Sequence, residues 1–176
     1  MRYAVLLILL TGLISCDPAP PAQAVTTQNG HAPASNGAWS FDAPLADIPH
    51  DELRGSLLGN EFRLEEATIN GHAITLRGAF EADRFSAPDI TIFVGTDDLA
   101  RELVVTPTDD GMVPHIHTRF PVPGKQGPGM LMYTELYSMH LIVDEVNEDN
   151  VVARVHLSLP DYKKSHVVGR FVATVK

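Results

Sequence analysis

Apolar and polar residues alternate along the chain from Glu61 to its C-terminal end. The alternation is clearest in the stretch VVARVHLSL, residues 151–159, and it recurs in residues 167–175. A period of two is typical of β-strands that bury one face. The pattern predicts about seven or eight strands with short turns, and therefore an all-β fold, either an antiparallel β-sandwich or an incomplete barrel.

Local signals refine this prediction. Asn70-Gly71 between two apolar runs is a strong hairpin signal, and a slip of the alternation at Glu65-Glu66 predicts a β-bulge. Residues 130–146 have the composition of one long strand that is bent or bulged in its middle. Residues 96–103 form the best helical window, with Thr96 as N-cap and acidic residues in the first turn, so we expect one short helix.

The first sixteen residues, MRYAVLLILLTGLISC, have a basic head, an apolar run and a closing cysteine. The apolar run is about 11 residues long, whereas a membrane-spanning helix needs roughly 20. This is the anatomy of a cleaved secretory signal peptide. The closing residues Leu13-Ile14-Ser15-Cys16 resemble the lipobox of bacterial lipoproteins. An ordinary signal peptide with a chance cysteine is the alternative, although Cys16 is the only cysteine in the chain.

The lipobox resemblance implies a specific organisation. Residues 1–15 would be removed, Cys16 would carry diacylglycerol through a thioether, and its new amino group would usually be acylated too. Two or more acyl chains hold a protein stably at a membrane. Asp17 resembles the signal that retains enteric lipoproteins in the inner membrane. The resemblance therefore implies a lipid-anchored chain in the bacterial cell envelope, on the periplasmic side, with the inner membrane favoured.

Residues 17–40, DPAPPAQAVTTQNGHAPASNGAWS, are rich in Pro, Ala, Gly, Asn, Gln and Ser. Such a composition cannot bury enough apolar surface to offset the entropy of ordering, so we predict a disordered tether over residues 16–40. A flexible chain of about 24 residues reaches about 25–30 Å on average. The β-domain is assigned to residues 41–176. Trp39 and Phe41 are expected to dock the tether onto it, and stacking of Trp39 on a ligand is the alternative.

Charge and cysteine content exclude some partners. The chain carries 13 basic and 22 acidic residues, a net charge of −9 with neutral histidines, and removal of the signal peptide takes away Arg2. Nucleic acids and anionic lipids bind basic patches, so neither is an expected partner. With its only cysteine lipidated, the chain has no internal disulfide. We expect a monomeric domain that is held at the membrane through acyl chains on Cys16.

His115-Ile116-His117 is the sharpest candidate for chemistry. On a strand, residues i and i+2 point to the same face, so both imidazoles would lie side by side. Two histidines can supply half of a zinc or copper site, and the third ligand must come from another strand. The candidates for that ligand are His140, His156 and His166. The alternative is an ordinary pair of histidines on a solvated strand face.

Catalytic signatures are weak. The chain contains no G-x-S-x-G or S-x-x-K motif, and none of its acidic clusters matches the EF-hand spacing. Ser138, His140 and Asp144 lie on one predicted strand, where at about 3.3 Å per residue they spread too far to form a triad. No glycine-rich phosphate loop is present either. We therefore expect no enzyme and no cofactor, with a small hydrolase that has a dispersed site as a remaining alternative.

Methionine and tyrosine residues form the last candidate set: Met130, Met132, Tyr133 and Tyr137. Core packing accounts for half of the residues in this region. The other half, with the loop at 121–129, would form an adaptable exposed patch for a protein or peptide. The sequence therefore favours a non-catalytic binding or structural module, ahead of a metal-handling lipoprotein that uses His115 and His117.

Overall fold

The computed structural model describes residues 39–42, 47–79, 87–94, 102–125 and 127–176, all within the unit Ala32–Lys176. These residues form ten β-strands. The strands are β1 (Arg54–Leu57), β2 (Asn60–Asn70), β3 (Ala73–Gly78), β4 (Asp89–Phe93), β5 (Glu102–Val105), β6 (His115–Phe120), β7 (Gly129–Tyr133), β8 (Ser138–Val146), β9 (Asn150–Ser158) and β10 (His166–Val175).

The all-β prediction is confirmed, but the predicted strand count is too low. Ten strands replace the expected seven or eight, and the described residues contain no helix. Most of the predicted helical window, residues 96–101, lies outside the described residues. Its last two residues, Glu102 and Leu103, belong to β5, which pairs with β8. Pairing with a neighbouring strand, together with Val104 and Val105, outweighs a weak local helical preference.

All ten strands form one sheet with the order β5-β8-β9-β10-β1-β2-β3-β4-β6-β7. Neighbours in this order are antiparallel. The short strand β1 separates β10 from β2 at one end only. Beyond β1, β10 and β2 pair directly and in parallel, with Thr174 opposite Thr68. The sheet is curled into a half-barrel, because strands twist and large open sheets coil.

One face of the sheet forms the core inside the curl. Alternate residues of each long strand are buried there, as the period of two predicts. The largest fully buried side chains are Leu53, Phe62, Ile74, Leu76, Ile90, Ile92, Ile116, Tyr137, Met139, Leu141, Leu157 and Phe171. The opposite face, which we call the outer face, carries the polar and charged side chains of the same strands. Chemistry that involves solvent or a partner therefore belongs to the outer face.

The bulge predicted at Glu65-Glu66 is present as a register shift between Leu64 and Glu66. The hairpin predicted at Asn70-Gly71 is also present, with Asn70 opposite Ala73. The single long strand predicted over residues 130–146 is instead two strands, β7 and β8, at different places in the sheet. Between them Leu136 adopts a left-handed backbone conformation, with φ at 61°, which interrupts the extended chain.

Residues near the start of the domain dock onto the outer face of β9. The indole Nε1 of Trp39 donates to the carbonyl of Leu159 at 2.9 Å, and the amide of Ser40 donates to Ser158 Oγ at 3.2 Å. Further along, Arg154 Nη1 donates to the carbonyl of Ile48 at 3.3 Å. Trp39 therefore docks onto the domain, as the sequence predicts.

Candidate functional site

The strands β4, β6 and β7 place five side chains together on the outer face. In the register of these strands Phe93 lies opposite His115, and His117 lies opposite Met132. Met130 lies two residues before Met132 on β7, so it shares the same face. We call these five residues, Phe93, His115, His117, Met130 and Met132, the β7 surface.

The β7 surface is apolar and exposed. Met130 and Met132 are 62% and 60% exposed, and Phe93 is 40% exposed. The ring of His117 contacts the ring of Phe93 edge-on, with 4.6 Å between the ring centroids. A contiguous group of exposed apolar side chains is typical of a binding surface, and methionine side chains adapt well to different partners.

The edge of β7 adds a second binding feature. β7 is the last strand of the sheet order, so no other described strand pairs with its free side. Natural edge strands are usually protected by charged residues or proline within the strand, because their free N–H and C=O groups recruit other chains. The sequence of β7, GMLMY, contains neither. The opposite edge strand, β5, has only four residues and carries Glu102.

A cleft of about 460 Å³ adjoins the β7 surface. Phe93 and His115 of the β7 surface line it together with Leu103 and Met112. Met112 is fully exposed, and His115 is the only titratable residue in the described lining. Ligand pockets have volumes of about 300–1,000 Å³ and mostly apolar walls with a few polar groups, so the cleft has the size of a binding site.

A fixed positive charge borders this surface. Arg119 lies opposite Met130 on one side and opposite Asp89 on the other. Its Nε donates to Asp89 Oδ2 at 2.7 Å. The hydrogen bond to the Asp89 carboxylate raises the pKa of Arg119 above its ordinary value. The guanidinium is half-exposed, so it presents donor groups to solvent beside the apolar side chains.

The four histidines proposed as metal ligands lie in two separate places. His115 and His117 share the outer face of β6, as predicted, whereas His140 and His156 lie on β8 and β9. Five strands, β10, β1, β2, β3 and β4, separate β9 from β6 in the sheet. Within the described part of the chain, no three His, Cys, Asp or Glu residues are grouped so that they could hold a metal ion.

His140 and His156 form a pair that the sequence analysis did not foresee. They are direct cross-strand partners on the outer face of β8 and β9. His140 Nε2 lies 2.7 Å from Glu102 Oε1, and both imidazoles are buried. Val146 pairs with Val151, so symmetry about the turn would place His140 opposite Leu157, and a register shift between Val143 and Glu145 brings it opposite His156 instead. No pattern in the sequence indicated this shift.

The candidate catalytic residues on β8 do not converge. Ser138 lies opposite Ser158. Asp144 forms two hydrogen bonds with Arg154, at 2.8 and 2.9 Å. These bonds hold the pKa of the Asp144 carboxyl below its usual value, which suits an ion pair rather than a general acid. Asp144 is thus taken up by Arg154, whereas Ser138 and His140 share the outer face of β8, opposite Ser158 and His156.

The two tyrosines of the predicted partner patch face the interior. Tyr137 is fully buried in the core, and Tyr133 is half-buried beside it. Burial, with a smaller contribution from the negative charge of Asp161, raises the pKa of Tyr133 to about 12. The exposed part of the predicted patch is therefore Met130 and Met132. Phe93 joins it from β4, although it was not among the residues predicted for the patch.

The candidate lipidation site, Cys16, lies outside the described residues. No helix in the described part of the chain is long and apolar enough to cross a membrane. Comparison with known protein families, with curated proteins and with solved structures finds no match to this chain.

Proposed function

We propose that this chain is a lipid-anchored, extracytoplasmic binding module without catalytic activity, and that it binds another protein through the β7 surface. Acyl chains on Cys16 anchor it in the cell envelope on the periplasmic side. Residues 16–40 link the anchor to a monomeric β-domain at residues 41–176. The lipobox resemblance and the composition of the tether support the anchor, and the acidic net charge argues against nucleic acid.

The exposed methionines on an unprotected edge strand are the observation that carries this proposal. Exposed apolar surface is unfavourable in water, and burying it gains about 25 cal/mol per Å². A partner segment in extended conformation would pair with the free backbone groups of β7 and contact Met130 and Met132. Main-chain hydrogen bonds would supply affinity in this arrangement, and the side chains of the β7 surface would supply specificity.

Site-specific photocrosslinking in the producing bacterium tests the proposal. A photoreactive residue at position 132 should crosslink to a discrete partner, whereas the same residue at position 172 should not. Val172 is a matched control because it is an exposed apolar residue on the outer face of β10, far from β7.

Met130→Lys should reduce the crosslink at position 132, because it places a charge in the apolar contact. Equal crosslinking at positions 132 and 172, or a crosslink insensitive to Met130→Lys, would count against the proposal.

Metal handling through His115 and His117 stays the rival function. Metal binding to the purified chain distinguishes it from the proposed one.

A further inference from the structure

The five methionines of this chain are distributed unevenly over the fold. Met1 lies outside the described residues, and Met139 is fully buried in the core. The other three, Met112, Met130 and Met132, have exposed side chains. Among the described residues, solvent therefore reaches the thioether groups of these three methionines and not that of Met139.

The three exposed methionines border one surface. Met130 and Met132 belong to the β7 surface, and Met112 lines the adjoining cleft together with Phe93. An exposed apolar residue elsewhere on the outer face, Val172 on β10, contains no sulfur. Any chemistry that is specific to exposed thioethers would therefore act at the β7 surface and at the cleft beside it.

Oxidation is the chemistry to which these side chains are open. The only cysteine in the chain is Cys16, so the β-domain at residues 41–176 contains no thiol. Oxidation converts the apolar thioether of methionine into a polar, chiral sulfoxide, and exposure determines which sulfur atoms in a protein react. The exposed methionines are therefore the first targets of an oxidant in this domain, whereas Met139 is protected by packing.

We propose that Met130 and Met132 are a reversible oxidation site that changes the β7 surface from apolar to polar and so releases its partner. This inference rests on the proposed function, because it regulates the same surface. The oxidant is a hypohalous acid, for which hypochlorous acid is the probe. The sulfur gives up two electrons and forms an S–O bond, while the O–Cl bond breaks, so that chlorine leaves as chloride and the proton passes to water. Methionine sulfoxide reductases reverse the change.

The position of these side chains determines what oxidation does to the free domain. Met130 and Met132 are exposed on the outer face, where water solvates the new sulfoxide oxygens. Met139 is buried among apolar side chains, where a sulfoxide would be desolvated at a cost. Oxidation confined to the exposed pair should therefore leave the β-sheet intact.

The same change is unfavourable in the complex. A partner segment that covers Met130 and Met132 would remove water from the two sulfoxide oxygens. Burial of a polar group without a compensating hydrogen bond costs free energy, so oxidation should weaken partner binding by about tenfold. The β7 surface would thus bind its partner in the reduced form and release it in the oxidised form.

Mass spectrometry tests the selectivity of the site. The purified full-length chain in detergent is treated with a small molar excess of hypochlorous acid, and tandem spectra locate the added oxygen atoms. Met130 and Met132 should each gain one oxygen, Met139 should gain none, and the far-ultraviolet circular dichroism of the β-sheet should persist. Reductases for both sulfoxide epimers should then remove the added oxygen. Oxidation of Met139 at the same rate, or loss of the β-sheet signal, would overturn the inference.

Photocrosslinking from position 93 in the producing bacterium tests the release. Phe93 belongs to the β7 surface, and a photoreactive phenylalanine derivative preserves its aromatic ring. The yield after treatment with hypochlorous acid is divided by the yield before it, within each variant. With both methionines present this ratio should fall to about one tenth. With Met130→Leu and Met132→Leu together it should stay near its untreated value, because leucine has no sulfur to oxidise.

Met112→Leu is the matched control, because Met112 is also exposed but lies outside the β7 surface. In this variant the ratio should fall as in the wild type. A crosslink that the oxidant leaves unchanged, or that falls equally in the double leucine variant, would overturn the inference and leave the proposed function standing. Absence of a discrete crosslink from positions 93 and 132 in untreated cells would overturn the proposed function, and the release of a partner with it.

Discussion

Asp89 on β4 and Arg119 on β6 lie directly opposite each other and form an ion pair on the outer face. The two side chains have different surroundings: that of Asp89 is 2% exposed, whereas that of Arg119 is 47% exposed. The second carboxylate oxygen, Oδ1, is buried without a hydrogen-bond partner among the described residues. Arg119 is therefore the group that makes the burial of this carboxylate tolerable.

Arg119→Ala should destabilise the domain by about 3 kcal/mol, because removal of one partner leaves a buried charge uncompensated. The measurement is the free energy of unfolding from urea titration at neutral pH. Adding Asp89→Asn to this variant should restore part of the loss, because the neutral amide is cheaper to bury than a charged group.

Arg63→Ala is the matched control for this substitution. Arg63 also bonds to a carboxylate, that of Glu61 at 2.7 Å, but both side chains are mostly exposed. Its removal should change stability by no more than about 0.5 kcal/mol, as for most surface ion pairs. Equal losses in Arg119→Ala and Arg63→Ala would show that the burial of Asp89 does not determine the energetics of its pair.

Alkaline pH should destabilise the domain through its two interior tyrosines. The pKa of Tyr133 is raised to about 12, mainly by burial. Burial also raises the pKa of Tyr137, whose hydroxyl donates to the carbonyl of Pro114. The phenol groups of the unfolded chain ionise near pH 10. Stability from these groups is therefore fully present below about pH 10 and is lost as the pH rises through the raised values.

Absorbance at the phenolate wavelength checks this prediction. Tyr162 is exposed, so it is the matched control for the interior tyrosines. Tyr133→Phe should flatten the fall of stability between about pH 10 and 12, and Tyr162→Phe should not. A fall of the same slope in both variants would mean that other groups govern the alkaline transition.

The strand pattern, the first hairpin and the bulge of this fold were predictable from the sequence. The alternation in residues 151–159 lies within β9 and its continuation, and the slip at Glu65-Glu66 is a real bulge. These features succeed because each depends on neighbouring residues. The break at Leu136 was missed, because the apolar composition of residues 130–146 hides a change of sheet position from β7 to β8.

Long-range relationships were not predictable in the same way. Nothing in residues 87–94 alone indicates that Asp89 is buried, since its partner Arg119 comes from a later strand. Phe93 likewise joins the β7 surface only through the register of β4 with β6. For the candidate site, the sequence therefore predicts Met130, Met132, His115 and His117 as residues of interest, but not that the methionines adjoin the histidines.

Cys16→Ala should prevent lipidation, because the thioether needs the cysteine sulfur. We expect the variant to accumulate as unprocessed precursor or to be recovered outside the membrane fraction. Membrane fractionation and the intact mass of the product measure this outcome, with the wild-type chain as the control. A variant that still partitions with membranes, and is cut at the same bond as the wild type, would contradict the lipobox assignment.

His115 and His117 decide between the proposed function and its rival. If they are ordinary side chains of the outer face, replacing both with Gln should change stability by no more than about 0.5 kcal/mol. If they are ligands, Zn²⁺ or Cu²⁺ should raise the melting temperature of the wild type and not of the double variant, because a ligand of the native state stabilises it. We expect no specific metal effect, since the described residues supply no third ligand beside this pair.

The pH dependence of the metal-induced shift in melting temperature, together with the histidine variants, distinguishes the possible metal sites. A metal effect through imidazoles should fade below about pH 6, where histidine is protonated and loses its lone pair. A shift at micromolar metal that needs both His115 and His117 would make metal handling the preferred function. A shift that survives their replacement would point to His140, His156 or His166 instead, and His140→Gln would then remove it if the metal lies between β8 and β9.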